Sequence, residues 1–381
     1  MHSVVGDDRR VESEAGVRAG AEPSAAEWTA TERPGPRSVL LAGGMLVSSI
    51  LLALFVVLPA PYAVTMPGPT FDVLGEQNGQ QLIRIDGAET FDSTGQLRLT
   101  TVSATGGPGF PSSVAGVIRG WFSRSQQVLP TERVIPSGQT QEEIDQENAM
   151  EMTSSQENAT VAALTHLGYE VPATLNIAGT IDGTDAAGKL EEGDVLVSID
   201  GEELTEYQTL VTTLAAVPPG DTITLGVRRD GELIEVPIVT GTRDDGQGAL
   251  IGVYVDPSFD FPIDVQISID NVGGPSAGTM FALGIVDKLT PADEANGVPI
   301  AGTGSIEVTG AVLPIGGIRQ KMVGAQRDGA EWFLAPEANC SDVVGFVPEG
   351  LHVVKVATLD AAVDAVTAIG EGAGGDLPTC G

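Results

Sequence analysis

From Ser38 to Ala60 the chain is continuously apolar, and no charge occurs between Arg37 and Asp72. About 20 apolar residues suffice to cross a bilayer as a helix. A helix buried in a soluble domain would normally carry a polar stripe, and this segment has none. Residues 38–60 are therefore expected to form a transmembrane signal anchor, which forces the remaining chain onto one side of a membrane or the other. Arg33 and Arg37 precede the segment and nothing basic follows until Arg84. By the positive-inside rule the N-terminus is cytoplasmic and everything after Ala60 lies outside the cell membrane. Cleavage near Ala60 or Ala63 is the alternative to an uncleaved anchor. Residues 1–37 are polar, interrupted by proline, without sustained period, and read as a disordered cytoplasmic tail.

A net charge of −33 argues against nucleic acid as a partner, because phosphate contacts need a basic face. No CxxC or Cys/His cluster occurs, so neither a metal nor a cofactor is expected. No G-x-x-x-x-G-K-[ST] occurs either, so no ATP site is expected. Cys340 and Cys380 are the two cysteines. On the exported side they are candidates for a disulfide, the alternatives being free thiols or a partner in another chain.

Val265-Gln-Ile-Ser-Ile-Asp alternates as a half-buried strand does, Gly273-Gly-Pro breaks it, and an apolar run at helical spacing follows to Leu289. Ser276 is thus expected at the first turn of a helix, where free N–H groups and the dipole favour an oxyanion. A plain N-cap serine is the competing reading. A second strand, glycine turn and helix, Gly310-Ala-Val-Leu-Pro-Ile-Gly-Gly-Ile-Arg-Gln-Lys321, puts a lysine among small and apolar residues.

Together the two stretches, GGPSAG and then TGS…G-VLPIGG-RQK, resemble the proteolytic domain of the Lon family of Ser/Lys proteases over roughly residues 245–370. The resemblance implies Ser276 as nucleophile, Lys321 as general base and Thr303 as the threonine that supports the lysine. Gly274 and Ala277 are the supporting backbone around the oxyanion. In the ATP-dependent members an aspartate often stands three residues before the serine, where this chain has Gly273. The run Gly95 to Val102 resembles the opening strand of such a domain, so residues 65–165 are expected to contribute strands to it.

Residues 170–241, carried by Ala186-Ala-Gly-Lys-Leu-Glu-Glu-Gly-Asp-Val-Leu-Val-Ser-Ile-Asp-Gly, resemble a PDZ domain of the bacterial protease type. That implies a strand at Val195–Ile199, a helix at Tyr207–Ala216 and a groove for an extended peptide. An Asp/Gly-rich linker follows Gly241, and residues 371–381 form a Gly-rich tail. Helices are expected at Val114–Phe122, with Trp121 and Phe122 in the core or facing the membrane, and at Gln141–Leu167. His166 reads as a surface or packing residue, and Asp287, Asp293 and Asp328 as solvated carboxylates.

The fold expected is α+β: a Lon-type proteolytic domain with a PDZ domain, preceded by one transmembrane helix. The expected function is that of an extracytoplasmic, ATP-independent serine endopeptidase acting on peptides or unfolded proteins. Other Lon-type domains form rings, and the residues leave the oligomeric state of this chain open. Two rivals stand beside this reading. Gly274-Pro-Ser-Ala-Gly278 also satisfies G-x-S-x-G, which would need a downstream histidine, and His352 is the only one available. The other rival is a membrane-tethered PDZ scaffold with an inert protease-like domain.

Overall fold

The computed structural model describes residues 35–134, 138–243 and 248–381. Most of the expected tail, residues 1–34, and the centre of the linker after Gly241 lie outside the described residues. Helix α1 (Pro36–Val57) lies mostly in a first compact unit that ends at Leu54, and the second unit runs from Phe55 to Gly381. With a mean hydropathy of 2.5, α1 is long and apolar enough to cross a membrane.

The second unit opens with β1 (Tyr62–Asp72), β2 (Ile83–Asp86), β3 (Gln96–Thr105), α2 (Val114–Phe122), β4 (Gln127–Pro130) and α3 (Gln141–His166). Then come β5 (Ala173–Thr180), β6 (Val195–Ile199), α4 (Tyr207–Ala216), β7 (Thr222–Arg229), β8 (Glu232–Val239) and β9 (Val253–Phe259). The chain finishes with β10 (Asp264–Ile267), α5 (Gly278–Leu289), β11 (Pro299–Gly302), α6 (Ile318–Arg327), β12 (Trp332–Pro336), β13 (His352–Val356) and α7 (Leu359–Gly370).

One sheet runs β13-β12-β11-β3-β1-β4. Its pairs among β3, β11, β12 and β13 are parallel, and those of β1 with β3 and β4 are antiparallel. Strands from before residue 131 and after residue 298 thus share one sheet. The second sheet, β8-β7-β6-β5-β9, folds from the residues between them. Its own core holds Leu175, Ile177, Leu196, Leu225, Val227 and Ile238. Asp230 and Gly231, with φ of 51° and 86°, make the tight turn between β7 and β8.

Helix α5 is buried at every position from Gly278 to Asp287. A helix apolar on all sides must be covered on all sides. Met280, Phe281 and Ile285 of α5 share a core with Leu97 and Leu99 of β3, Ile83 of β2, and Ala159 and Ala163 of α3. This all-round burial overturns one expectation: Asp287 is 3% exposed rather than solvated. Asp293 and Asp328 are half-buried and bonded, Asp293 to Ser93 and Thr94, Asp328 to Thr70 and Arg327.

Helix α3 begins with a capping box. Thr140 Oγ1 accepts from Glu143 N at 3.2 Å, and Glu143 Oε2 accepts from Thr140 N at 2.7 Å. It ends where Gly168 turns left-handed and Tyr169 N donates to Leu164 O at 3.0 Å. Only its second half is amphipathic in the packing sense, since none of residues 141–150 is buried.

Trp121 and Phe122 are not core residues: they are 60% and 88% exposed. Helix α2 approaches β4 so closely at Gly120 that a Cβ there would lie 2.6 Å from Val128. That contact makes Val117 and Gly120 the inner face and turns the two aromatic residues outward. Cys340 and Cys380 are disulfide-bonded across 40 residues of sequence. Closing a loop of that length restricts the unfolded chain by roughly 4 kcal/mol in the chain-entropy account.

Candidate active site

After β10 the chain turns through Asn271 (φ 59°) and Gly274 (φ 84°) before α5 begins at Gly278. Ser276 therefore stands two residues ahead of the helix, in the turn itself rather than in the first helical turn as expected. Neighbouring elements clamp this turn. Gly274 N donates to Asn148 O at 3.0 Å, and Ser155 Oγ donates to Pro275 O at 2.9 Å. Gly304 N and Thr303 Oγ1 both donate to Ser276 O, at 3.0 and 2.9 Å. A Cβ on Gly278 would lie 2.8 Å from Ile306 Cγ2 and 2.9 Å from Ser155 Oγ, so glycine is what lets α5 start this close to its neighbours. At Gly273 a Cβ would lie 2.7 Å from Asn148 Cβ. Helix α3 thus fills the space from which an aspartate at this position would extend.

Lys321 lies in the first turn of α6, behind Gly317 as N-cap, and is 3% exposed. Its Nζ lies 2.7 Å from Ser276 Oγ and 2.8 Å from Thr303 Oγ1. Thr303 is fully buried where β11 ends. A hydroxyl has one proton to give. Thr303 gives its proton to Ser276 O and so must accept from the lysine amine, which leaves the amine's lone pair free to turn toward Ser276. Burial pushes the Lys321 ammonium down from 10.5 to about 7. The first turn of a helix disfavours a cation in the same direction. At neutral pH much of the amine is unprotonated, and a hydroxyl beside an unprotonated amine is a nucleophile with its base.

The supporting backbone differs from expectation at one position. Gly274 spends its N–H on Asn148 and is not an oxyanion donor. Among the described residues no acceptor takes the N–H of Ser276 or Ala277, and these face the start of α5.

Ser276 and Lys321 line a cavity of about 490 Å3 together with Leu99 to Ser103, Asn148, Glu151 and Met152. His352 lines neither this cavity nor the one beside it. Its ring stacks on Trp332, with centroids 4.7 Å apart. The Ser/His rival therefore lacks its histidine. His166 bonds Asp360 at 2.6 Å, in keeping with a packing role. Sequence reasoning missed Asn148, Glu151 and Ser155. All three sit on α3, and nothing local in its sequence marks them out, since Ser155 stands next to an identical Ser154.

Residues 264–368 match the model of the Lon protease C-terminal proteolytic domain, and residues 179–240 match that of the PDZ domain. Lon protease 1 of Bacillus subtilis is 31% identical over 188 residues, which is 43% of this chain and 24% of that protein. The Lon protease of Desulfatibacillum aliphaticivorans is 42% identical over 82 residues, 22% of this chain and 10% of that protein. The chain thus spans about a quarter or less of the length of these curated relatives. The solved PDZ domain of an SdrC-like protein from Listeria innocua is 22% identical, covers 22% of this chain and 92% of its own, and has a TM-score of 0.21.

Proposed function

Since the chain carries a PDZ domain followed by a Lon-type proteolytic domain, we propose that it is a membrane-anchored, ATP-independent serine endopeptidase that uses a Ser276–Lys321 dyad. The observation that carries the reading is the buried Lys321 amine 2.7 Å from Ser276 Oγ. Neutral Lys321 takes the Ser276 proton as Oγ attacks the peptide carbonyl. The tetrahedral oxyanion lies against the N–H groups of Ser276 and Ala277. The Lys321 ammonium then gives its proton to the leaving amine, and an acyl-enzyme remains. Water, losing a proton to Lys321, attacks the ester, and Ser276 recovers its proton as the acid departs.

An extended substrate suits the cleft. Pairing of β3 with β11 stops at Leu99, whereas pairing with β1 continues to Thr105. The cavity side of Thr100 to Ser103 is therefore an open strand edge on which a peptide can add as a strand. The second sheet has β8 and β9 as its edge strands, and β9, which follows the PDZ-like residues in sequence, offers a second extended site. The basic residues before α1 and their absence until Arg84 support an extracytoplasmic location, as does the Cys340–Cys380 disulfide. The 381 residues carry no P-loop, in keeping with ATP-independence.

The test is to incubate the full chain in detergent with one protein in folded and in irreversibly unfolded form, without ATP, and identify products by mass spectrometry. The unfolded form is cut and the folded form is spared. Cutting that persists with the same products in Ser276→Ala contradicts the reading.

A further inference from the structure

The cavity that holds the dyad continues into a second one of about 700 Å3, and the two share Val102, Asn148 and the turn Asn271–Gly273. They form one groove, walled on one side by β3 and on the other by the first half of α3. That half is the part of α3 not used for the core, so its side chains are available to whatever lies in the groove.

The charges along the groove are unequal. Among the described residues Lys321 is the only basic one lining it, and that amine is buried and held by Ser276 and Thr303. Two acids line it, Glu151 beside the dyad and Asp145 further along. Asp145 accepts from the Gln141 amide at 2.8 Å. Glu151 has no hydrogen bond or ion pair among the described residues, and its Oε2 is 3.8 Å from where a Cβ on Gly274 would lie, two residues from Ser276. Nor is its charge spent on tuning the base: burial accounts for the lowered Lys321, with no contribution from Glu151. Exposed and without a side-chain partner among the described residues, the Glu151 carboxylate lines the cleft and is open to a substrate lying there.

We propose that Glu151 selects substrates with a lysine or arginine close to the scissile bond. This rests on the peptidase reading above and names its substrate class. The cation meets Glu151 at the rim of the groove, with Asp145 extending the same preference to a second basic residue. Both carboxylates are exposed, which limits the preference to about 2–5-fold, the range of a solvent-screened contact.

The test uses the full chain in detergent and a set of otherwise identical peptides with lysine, norleucine or glutamate at each of three positions on either side of the cleaved bond. Norleucine keeps the side-chain length and removes the charge. At one position or more, the wild type has a lysine-to-norleucine ratio of kcat/KM of about 2–5. In Glu151→Gln that ratio falls to about 1, and in Glu151→Lys glutamate becomes the preferred residue. A wild-type ratio near 1 at all positions overturns the proposal, as does a ratio that Glu151→Gln leaves unchanged. The same peptides, labelled and titrated by fluorescence anisotropy onto Ser276→Ala, separate this inference from the peptidase reading. If the wild type cuts nothing while the lysine peptide still binds more tightly and loses that advantage in Ser276→Ala/Glu151→Gln, the groove preference stands and the peptidase reading falls. Equal binding of the lysine and norleucine peptides overturns the preference itself.

Discussion

Lys321→Met abolishes peptide hydrolysis and at the same time stabilises the fold. The loss of activity follows from geometry. Among the described residues no other base lies within hydrogen-bond reach of Ser276 Oγ, and a serine without its base is a poor nucleophile. Members of a catalytic unit fail together, so Lys321→Met and Ser276→Ala each lower kcat/KM by roughly 10^4 or more, and the double variant is little worse than either. The gain in stability follows from burial. In the unfolded chain the ammonium titrates near 10.5, and in the folded protein near 7. Below pH 7 both states are protonated and the folded state carries the full cost of a buried charge, on the order of 4–5 kcal/mol at about 1.4 kcal/mol per pKa unit. Between 7 and 10.5 the unfolded chain binds the extra proton, so wild-type stability rises with pH. Methionine matches the aliphatic stem and removes the charge, but leaves Thr303 Oγ1 without its donor. The net gain is expected at about 2–4 kcal/mol at pH 6, shrinking toward pH 9. Urea denaturation of the two proteins at both pH values measures it. A variant less stable than the wild type at pH 6 contradicts the account of the buried amine.

Asp287→Asn also stabilises the protein, with the opposite dependence on pH. Asp287 is 3% exposed, neither of its carboxylate oxygens has a hydrogen-bond partner among the described residues, and the buried Glu294 Oε2 has none either. Burial, then the nearby Glu294, pushes Asp287 from 3.8 up to about 7. Its place near the C-terminal end of α5 sets it against the negative end of the helix dipole as well. Between about pH 4 and 7 the folded protein holds a proton that the unfolded chain has released, so stability falls as pH rises through this window. The fall amounts to roughly 2–4 kcal/mol, and it is complete above the folded pKa. Asparagine keeps the shape without the ionisation. Asp287→Asn is therefore close to wild type at about pH 4 and more stable at pH 8 by about that amount. Thermal unfolding at the two pH values decides the matter, and an equal loss of stability at both would show that the carboxylate makes a bond the asparagine cannot replace.

These two residues mark where the sequence is legible and where it is not. Ser276, Lys321 and Thr303 are readable because each belongs to a short motif containing glycine, and the structure brings the three side chains together within hydrogen-bond distance. Helices α2 and α4 and strand β6 match the expected spans, since period and turn residues are local properties. Asp287 was misread because burial is not local. A carboxylate near the end of an apolar helix looks solvated until the 293–296 turn and α7 are known to cover it. Phe122 fails in the other direction, because the inner face of α2 is set by the close approach of Gly120 to β4. The pairing of β3 with β11 joins residues about 200 apart across the second sheet, and no periodicity encodes it. For the same reason Asn148 and Glu151 reach the cleft unseen.

In the proposed mechanism Lys321, neutral in its buried site, is the base for Ser276. The pH dependence of kcat/KM for one peptide, followed from pH 5 to 9 with the full chain in detergent, tests it most directly. The account predicts a single rise of about tenfold per pH unit that levels off above an apparent pKa near 7, the value to which burial lowers Lys321. The rise persists in His352→Ala, whose ring is stacked on Trp332 away from the cleft. A profile that is flat across this range, or one whose ionisation disappears in His352→Ala, would contradict it.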